Sequence, residues 1–133
     1  MSALEFNTQG ILIDAYSICS GTHMNCAGGS IEGMKWLSCE ETSIGQVYEC
    51  DPYGNNPSKV LPALGRFKHE AVAEDFLKKH LYLTEDTPDG GFYRFIPDSL
   101  TKEGNIDFSS GKLQIAVLNG DNQEGKIEWE NIK

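Results

Sequence analysis

The residues with the strongest chemical potential fall in four short segments. Asn25-Cys26-Ala27-Gly28-Gly29 sets a thiol in a run of small residues where backbone can approach a ligand closely. His69-Glu70 offers an imidazole beside a carboxylate, and Glu40-Glu41 and Glu85-Asp86 are two acidic pairs of the same form. A thiolate with a carboxylate suits a transition metal such as iron, and carboxylates at the end of a strand can converge on a hard cation such as calcium. Because side chains alternate along a strand, only one member of each acidic pair is expected to face a given site. The candidate metal ligands are therefore Cys26, Glu70 and one member of each acidic pair, with Asn25 and Arg94 as candidate contacts for an anionic substrate. The plainer alternatives are solvated acidic turns for the pairs, ordinary hydrogen-bonded side chains for His23 and His69, and an ion pair for Arg94. Gly28-Gly29 leads into no phosphate-loop lysine, so that mode of nucleotide binding is excluded.

Charge narrows the partners. Lys+Arg 11 against Asp+Glu 20 gives a net charge of −9 over 133 residues. Such a surface repels a polyphosphate backbone, which excludes a free-standing nucleic-acid binder. An anionic substrate would have to be met by bound cations rather than by the protein's own charge. No run approaches 18 apolar residues and Met1–Glu5 has no basic segment, so neither a membrane span nor a signal peptide is expected. The four cysteines lack the paired spacing of a structural zinc site. Cys19, Cys39 and Cys50 read as buried thiols or as the source of one disulfide.

The elements that must position these residues are strands. Helical periodicity is almost absent; Ala71–Lys79 is the best helical candidate and reads equally as a strand end followed by a turn. Strands are expected over Gly10–Ile18, Lys35–Cys39, Gln46–Cys50, Leu81–Thr84, Phe92–Ile96, Lys112–Leu118 and Lys126–Trp129, separated by turn formers such as Thr87-Pro88-Asp89-Gly90-Gly91. The chain reads as all-β. Leu37–Pro52, moved along by 45 residues, falls on Tyr82–Pro97 with five identities in sixteen positions: Glu40 on Glu85, Thr42 on Thr87, Gly45 on Gly90, Tyr48 on Tyr93 and Pro52 on Pro97. Glu41 falls on Asp86 as a conservative match. The same offset sets Met24–Ala27 on His69–Val72, one segment upstream of each hairpin.

A hairpin recurring at this spacing fits the four-stranded blade of a β-propeller, with the upstream segments as innermost strands facing a central channel. The chain is accordingly expected to be one domain over residues 1–133, a propeller fragment of about two to three blades with repeated hairpins at 37–52 and 82–97. A ring needs at least four blades. Closure is then expected to require further blades or self-association.

Taken together, Asn25–Gly29, Trp36–Glu41, His69–Ala71, Tyr82–Asp86 and Gly91–Pro97, in that order, resemble the successive motifs of the PhoX-type alkaline phosphatases. The resemblance implies a six-bladed propeller, exported to the periplasm or outside the cell, that hydrolyses small phosphomonoesters with calcium and iron at the channel mouth. It implies Cys26 as an iron ligand, Glu70 as a carboxylate of the metal cluster and Glu41 as a calcium ligand, with Glu85 and Arg94 as further carry-overs. The alternatives are a non-catalytic calcium-binding module built on the same carboxylates and a truncated relic whose motifs no longer act.

Overall fold

The computed structural model describes residues 1–121 and 124–132. Every sheet in it is antiparallel, and no α-helix occurs among the described residues. β1 (Ser2–Phe6) and β2 (Leu12–Ser17) form a two-stranded hairpin. β3 (Asn25–Ile31), β4 (Lys35–Glu40), β5 (Val47–Cys50) and the short β6 (Lys59–Val60) follow one another across a four-stranded sheet. After a 3-10 turn at Pro62–Leu64, β7 (His69–Asp75), β8 (His80–Glu85), β9 (Phe92–Pro97), β10 (Gly111–Asp121) and β11 (Glu124–Asn131) make a five-stranded sheet in the same sequential order.

The repeat is exact in register over its hairpins. β4 pairs with β5 as Trp36↔Cys50, Leu37↔Glu49, Ser38↔Tyr48 and Cys39↔Val47. β8 pairs with β9 as Leu81↔Phe95, Tyr82↔Arg94, Leu83↔Tyr93 and Thr84↔Phe92, each pair 45 positions further on. The turns match as well: Glu40 N–H donates to Gln46 O and Gly45 N–H to Thr42 O, while Glu85 N–H donates to Gly91 O and Gly90 N–H to Thr87 O.

One expected alignment needs correction by a residue. The loop from Ile31 to Lys35 holds three residues, whereas the loop from Asp75 to His80 holds four. Going back through these loops shortens the offset to 44, so that Asn25 corresponds to His69 and Cys26 to Glu70. Both strands carry a bulge at that place, between Asn25 and Gly28 and between His69 and Val72. Ala71–Lys79 resolves as the rest of β7 and a turn, because Ala71 and Val72 continue the strand and Asp75 closes the turn by accepting the N–H groups of Leu77 and Lys78, each at 3.0 Å. The second sheet also exceeds the expected four strands, since β10 runs on into a long hairpin with β11.

Alternation along β4 and β5 separates two apolar layers. Leu37, Cys39 and Val47 face the second sheet and pack with Leu61, Leu64, Val72, Leu81, Leu83 and Phe95. Burying each large side chain of this layer is worth roughly 1.5–3 kcal/mol. Trp36, Tyr48 and Cys50 face the other way and meet Ile18, Cys19, Ala3 and Tyr16 of the N-terminal segment. The four-stranded sheet thus lies between the β1–β2 hairpin and the five-stranded sheet.

β3 packs directly against β7. An ideal Cβ on Gly29 would lie 2.2 Å from Val72 O, so the lack of a side chain there is what permits the approach. At one end of this seam the Glu32 N–H donates to a Glu74 carboxylate oxygen at 2.7 Å, and the Lys79 ammonium pairs with the Glu32 carboxylate. The bulges lie at the other end.

Candidate metal centre

A β-bulge leaves a residue out of the ladder and re-aims its side chain. Here two bulges on adjacent strands do so at equivalent positions, Cys26 on β3 and Glu70 on β7. The Cys26 thiol donates to Glu70 Oε1 at 3.2 Å. Glu41, the residue after β4, joins them, its backbone N–H donating to Met24 O at 2.9 Å. One ligand atom from each of Cys26, Glu41 and Glu70 lies within 4.8 Å of the other two.

Lys68 completes the cluster. Its Nζ sits 2.9 Å from Glu41 Oε1, donates to Asp86 O at 2.9 Å and lies 3.9 Å from Asp86 Oδ2. The Lys68 ammonium, followed by a hydrogen bond from Cys26, holds the Glu41 carboxyl below its usual range, and Glu41 in turn raises Lys68. Hydrogen bonds to Glu70 and then Glu41 push the Cys26 thiol up to about 11. The thiol is therefore protonated at neutral pH, because either carboxylate is a better acceptor for its hydrogen than it is a neighbour for a second negative charge.

The other member of each acidic pair holds a turn. Glu40, on the opposite face from Glu41, accepts the His23 N–H at 2.8 Å and the Gln46 N–H at 3.1 Å. Glu85 does the same in the second sheet: its Oε2 accepts the Gly91 N–H at 3.0 Å and the Tyr93 hydroxyl at 2.8 Å. Glu85 is thus the counterpart of Glu40, and Asp86 is the counterpart of Glu41.

The remaining candidates are placed as follows. Asn25 adjoins Cys26 and donates from Nδ2 to Ser38 Oγ at 2.7 Å while accepting from Thr22 Oγ1 at 2.6 Å. Arg94 is not brought to the cluster. It lies on β9, two strands from β7, or about 10 Å across the sheet. There its Nε and Nη2 donate to Gln114 Oε1 and its guanidinium covers the Trp129 ring at 4.2 Å. His69 is fully buried against Phe67, at 3.7 Å between ring centroids, and burial lowers it to about 4. His23 contributes its backbone N–H to Glu40.

Lys68 was not singled out by residue type, and Asp86 entered only as the partner of Glu85 in an acidic pair. The alignment of Glu41 with Asp86 carried the signal for the second; a lone lysine outside any repeated pattern carried none for the first.

The site so described is a thiol and two carboxylates, with a third carboxylate and one ammonium beside them, gathered where two antiparallel sheets of an all-β chain meet. That donor set belongs to metal-dependent hydrolases as readily as to calcium-binding modules. The family model of alkaline phosphatase PhoX matches residues 43–133, and the chain belongs to that family. Glu70, Glu85, Asp86 and Arg94 lie within the matched residues, and Asn25, Cys26 and Glu41 precede them. Membership carries phosphatase-type function at the level of the family. No curated protein and no solved structure matches the chain. Among the described residues no helix is long and apolar enough to cross a membrane.

Proposed function

We propose that this chain contributes to a metal-dependent phosphomonoesterase in which Cys26, Glu41 and Glu70 are metal ligands, iron engaging the thiolate and calcium the carboxylates. The observation that carries this reading is the convergence of those three side chains from three separate segments onto one exposed point. The donor set fits: oxygens around a calcium ion at about 2.3–2.6 Å are themselves roughly 3–5 Å apart, the spread seen here. Three carboxylates against one ammonium also leave the cluster short of positive charge.

Bound metal would supply the positive charge that phosphoryl transfer requires and lower the pKa of a water. The protein's own groups prepare for it. Lys68 keeps Glu41 ionised and oriented. Glu70 holds the Cys26 proton at Sγ until ligation, and that proton leaves to solvent because Cys26 is exposed. Metal uptake through the thiolate therefore strengthens as pH rises toward 11. Asn25 adjoins Cys26 in sequence, and its amide would have to leave Ser38 or Thr22 to meet a substrate oxygen. Glu85 and Arg94 fall outside the working set, since both are committed to neighbours within their own sheet.

We further infer that the two sheets are blades of a β-propeller, one partial domain over residues 1–133, with β3 and β7 as the innermost strands. Their equal hairpin register and side-by-side packing support this. Ring closure would come from further blades or from self-association, and the substrate would be a small phosphomonoester in a periplasmic or extracellular setting.

The test is elemental analysis of protein purified without chelators, paired with p-nitrophenyl phosphate hydrolysis with and without added calcium. Iron and calcium with calcium-dependent turnover are expected. Calcium uptake with no iron and no turnover would replace this reading with that of a calcium-binding module, and neither metal nor turnover would leave a scaffold without a working centre.

A further inference from the structure

We propose that Cys19 and Cys50 form a disulfide that staples the N-terminal hairpin to the four-stranded sheet. Both are thiols in this structure and both are buried. They are two of the three buried members of the smaller apolar cluster, between the end of β2 and the last residue of β5, and Ile18 is the third. Cys50 Sγ donates to Tyr48 O at 3.7 Å, and Tyr48, like Trp36 and Tyr16, packs against the cluster that holds both thiols.

The other two cysteines are placed elsewhere by the same alternation that builds the layers. Cys39 points into the larger core on the opposite face of the four-stranded sheet, and Cys26 sits in the bulge of β3 with Glu70. Of the four thiols, Cys19 and Cys50 are the pair that share an apolar pocket with each other and with no carboxylate ligand. The backbone fixes the position of Cys19 tightly. Its N–H and that of Ile18 donate to Met1 O at 3.3 and 3.1 Å, and the Met1 ammonium donates to Cys19 O at 2.7 Å.

The oxidant is a small-molecule disulfide of the glutathione type. Exchange forms the Cys19–Cys50 bond through a mixed disulfide; the two protein thiols give up two protons and two electrons, and the oxidant is reduced to two thiols. The thiolate is the attacking species, and burial pushes Cys50 up to about 12 in the folded chain. The bond therefore forms as the chain folds and closes slowly once the pocket is shut. The staple spans the segment that links the hairpin to β5, and its main effect is to restrict the unfolded chain.

The experiment is to unfold and reduce the full chain, refold it with oxidised and reduced glutathione, unfold it again, alkylate it with iodoacetamide, and measure intact mass and a peptide map. The expected result is two alkylated cysteines, Cys26 and Cys39, with one linked peptide joining Cys19 to Cys50. A thermal melt of the same sample should fall by about 10 °C on reduction, and Cys19→Ala should remove that dependence. Four alkylated cysteines after oxidative refolding, or a linked peptide that contains Cys26 or Cys39, would overturn the proposal. The mass measurement uses the wild-type chain and stands whether or not the variant folds.

Discussion

Gly29→Ala is expected to unfold the seam between the two sheets and, with it, the cluster. The added methyl group would sit 2.2 Å from the carbonyl oxygen of Val72 and 3.0 Å from its Cγ2. A backbone oxygen cannot rotate away as a side chain can, so β3 and β7 must separate by about 1 Å to reach ordinary contact. Overpacking of this kind costs about 3 kcal/mol, which for a chain of this length lowers the melting temperature by roughly 10 °C. The effect reaches the site because Cys26 is three residues from Gly29 on the same strand and must meet Glu70 across the same seam. Metal uptake should therefore weaken along with stability. A melt within 2 °C of wild type, with unchanged metal uptake, would show that the close approach of the strands is not needed.

The second large effect concerns acid. His69 is buried and neutral, with its ordinary value of 6.5 lowered to about 4 by desolvation. Below 6.5 the unfolded chain binds a proton at this residue that the folded chain refuses. Stability is thus fully present above 6.5, falls by about 1.4 kcal/mol per pH unit below it, and levels off near 4 after a loss of about 3 kcal/mol. Between pH 6.5 and 5 this loss precedes that of the carboxylates held low by their partners, Glu41, Asp51, Asp75 and Asp107, whose contribution disappears only as the pH falls through their lower range. Urea unfolding at pH 7, 6 and 5 measures the slope. His69→Gln should flatten it by one proton, and a slope equal in variant and wild type would show that His69 is protonated in the folded chain.

How much of this was legible in the sequence depends on which residues repeat. Glu, Thr, Gly, Tyr and Pro at fixed places in Leu37–Pro52 and Tyr82–Pro97 set the turns, and both hairpins share one register because turn geometry fixes register. The upstream strands were harder to align. A loop one residue longer after β7 than after β3 shifts their correspondence, and loop length leaves no mark on strand pattern. The acidic pairs teach a related point. Glu40 and Glu85 are identical because each accepts the backbone N–H across its own turn, from Gln46 and Gly91 respectively, whereas Glu41 and Asp86, which both meet Lys68, tolerate a change in side-chain length. Identity within the repeat thus marked the structural carboxylate rather than the one facing the cluster.

Cys26, Glu41 and Glu70 were legible as ligand types, and their convergence was not. It depends on two bulges and on β3 packing across β7, both of which are tertiary events. Lys68 was invisible for the same reason, since its partners Glu41 and Asp86 come from two different sheets. β1 and β6 were missed because one is short and exposed and the other has two residues.

The most direct test of the central claim, that a thiol from β3 joins the carboxylate just after β4 and one from β7 in one metal centre, is a metal titration of wild type against Cys26→Ser. The account predicts that the variant loses iron affinity by at least tenfold, about the scale seen when a metal site loses even a supporting group, while calcium uptake through Glu41 and Glu70 stays close to wild type. Equal iron affinity in the two proteins would contradict it.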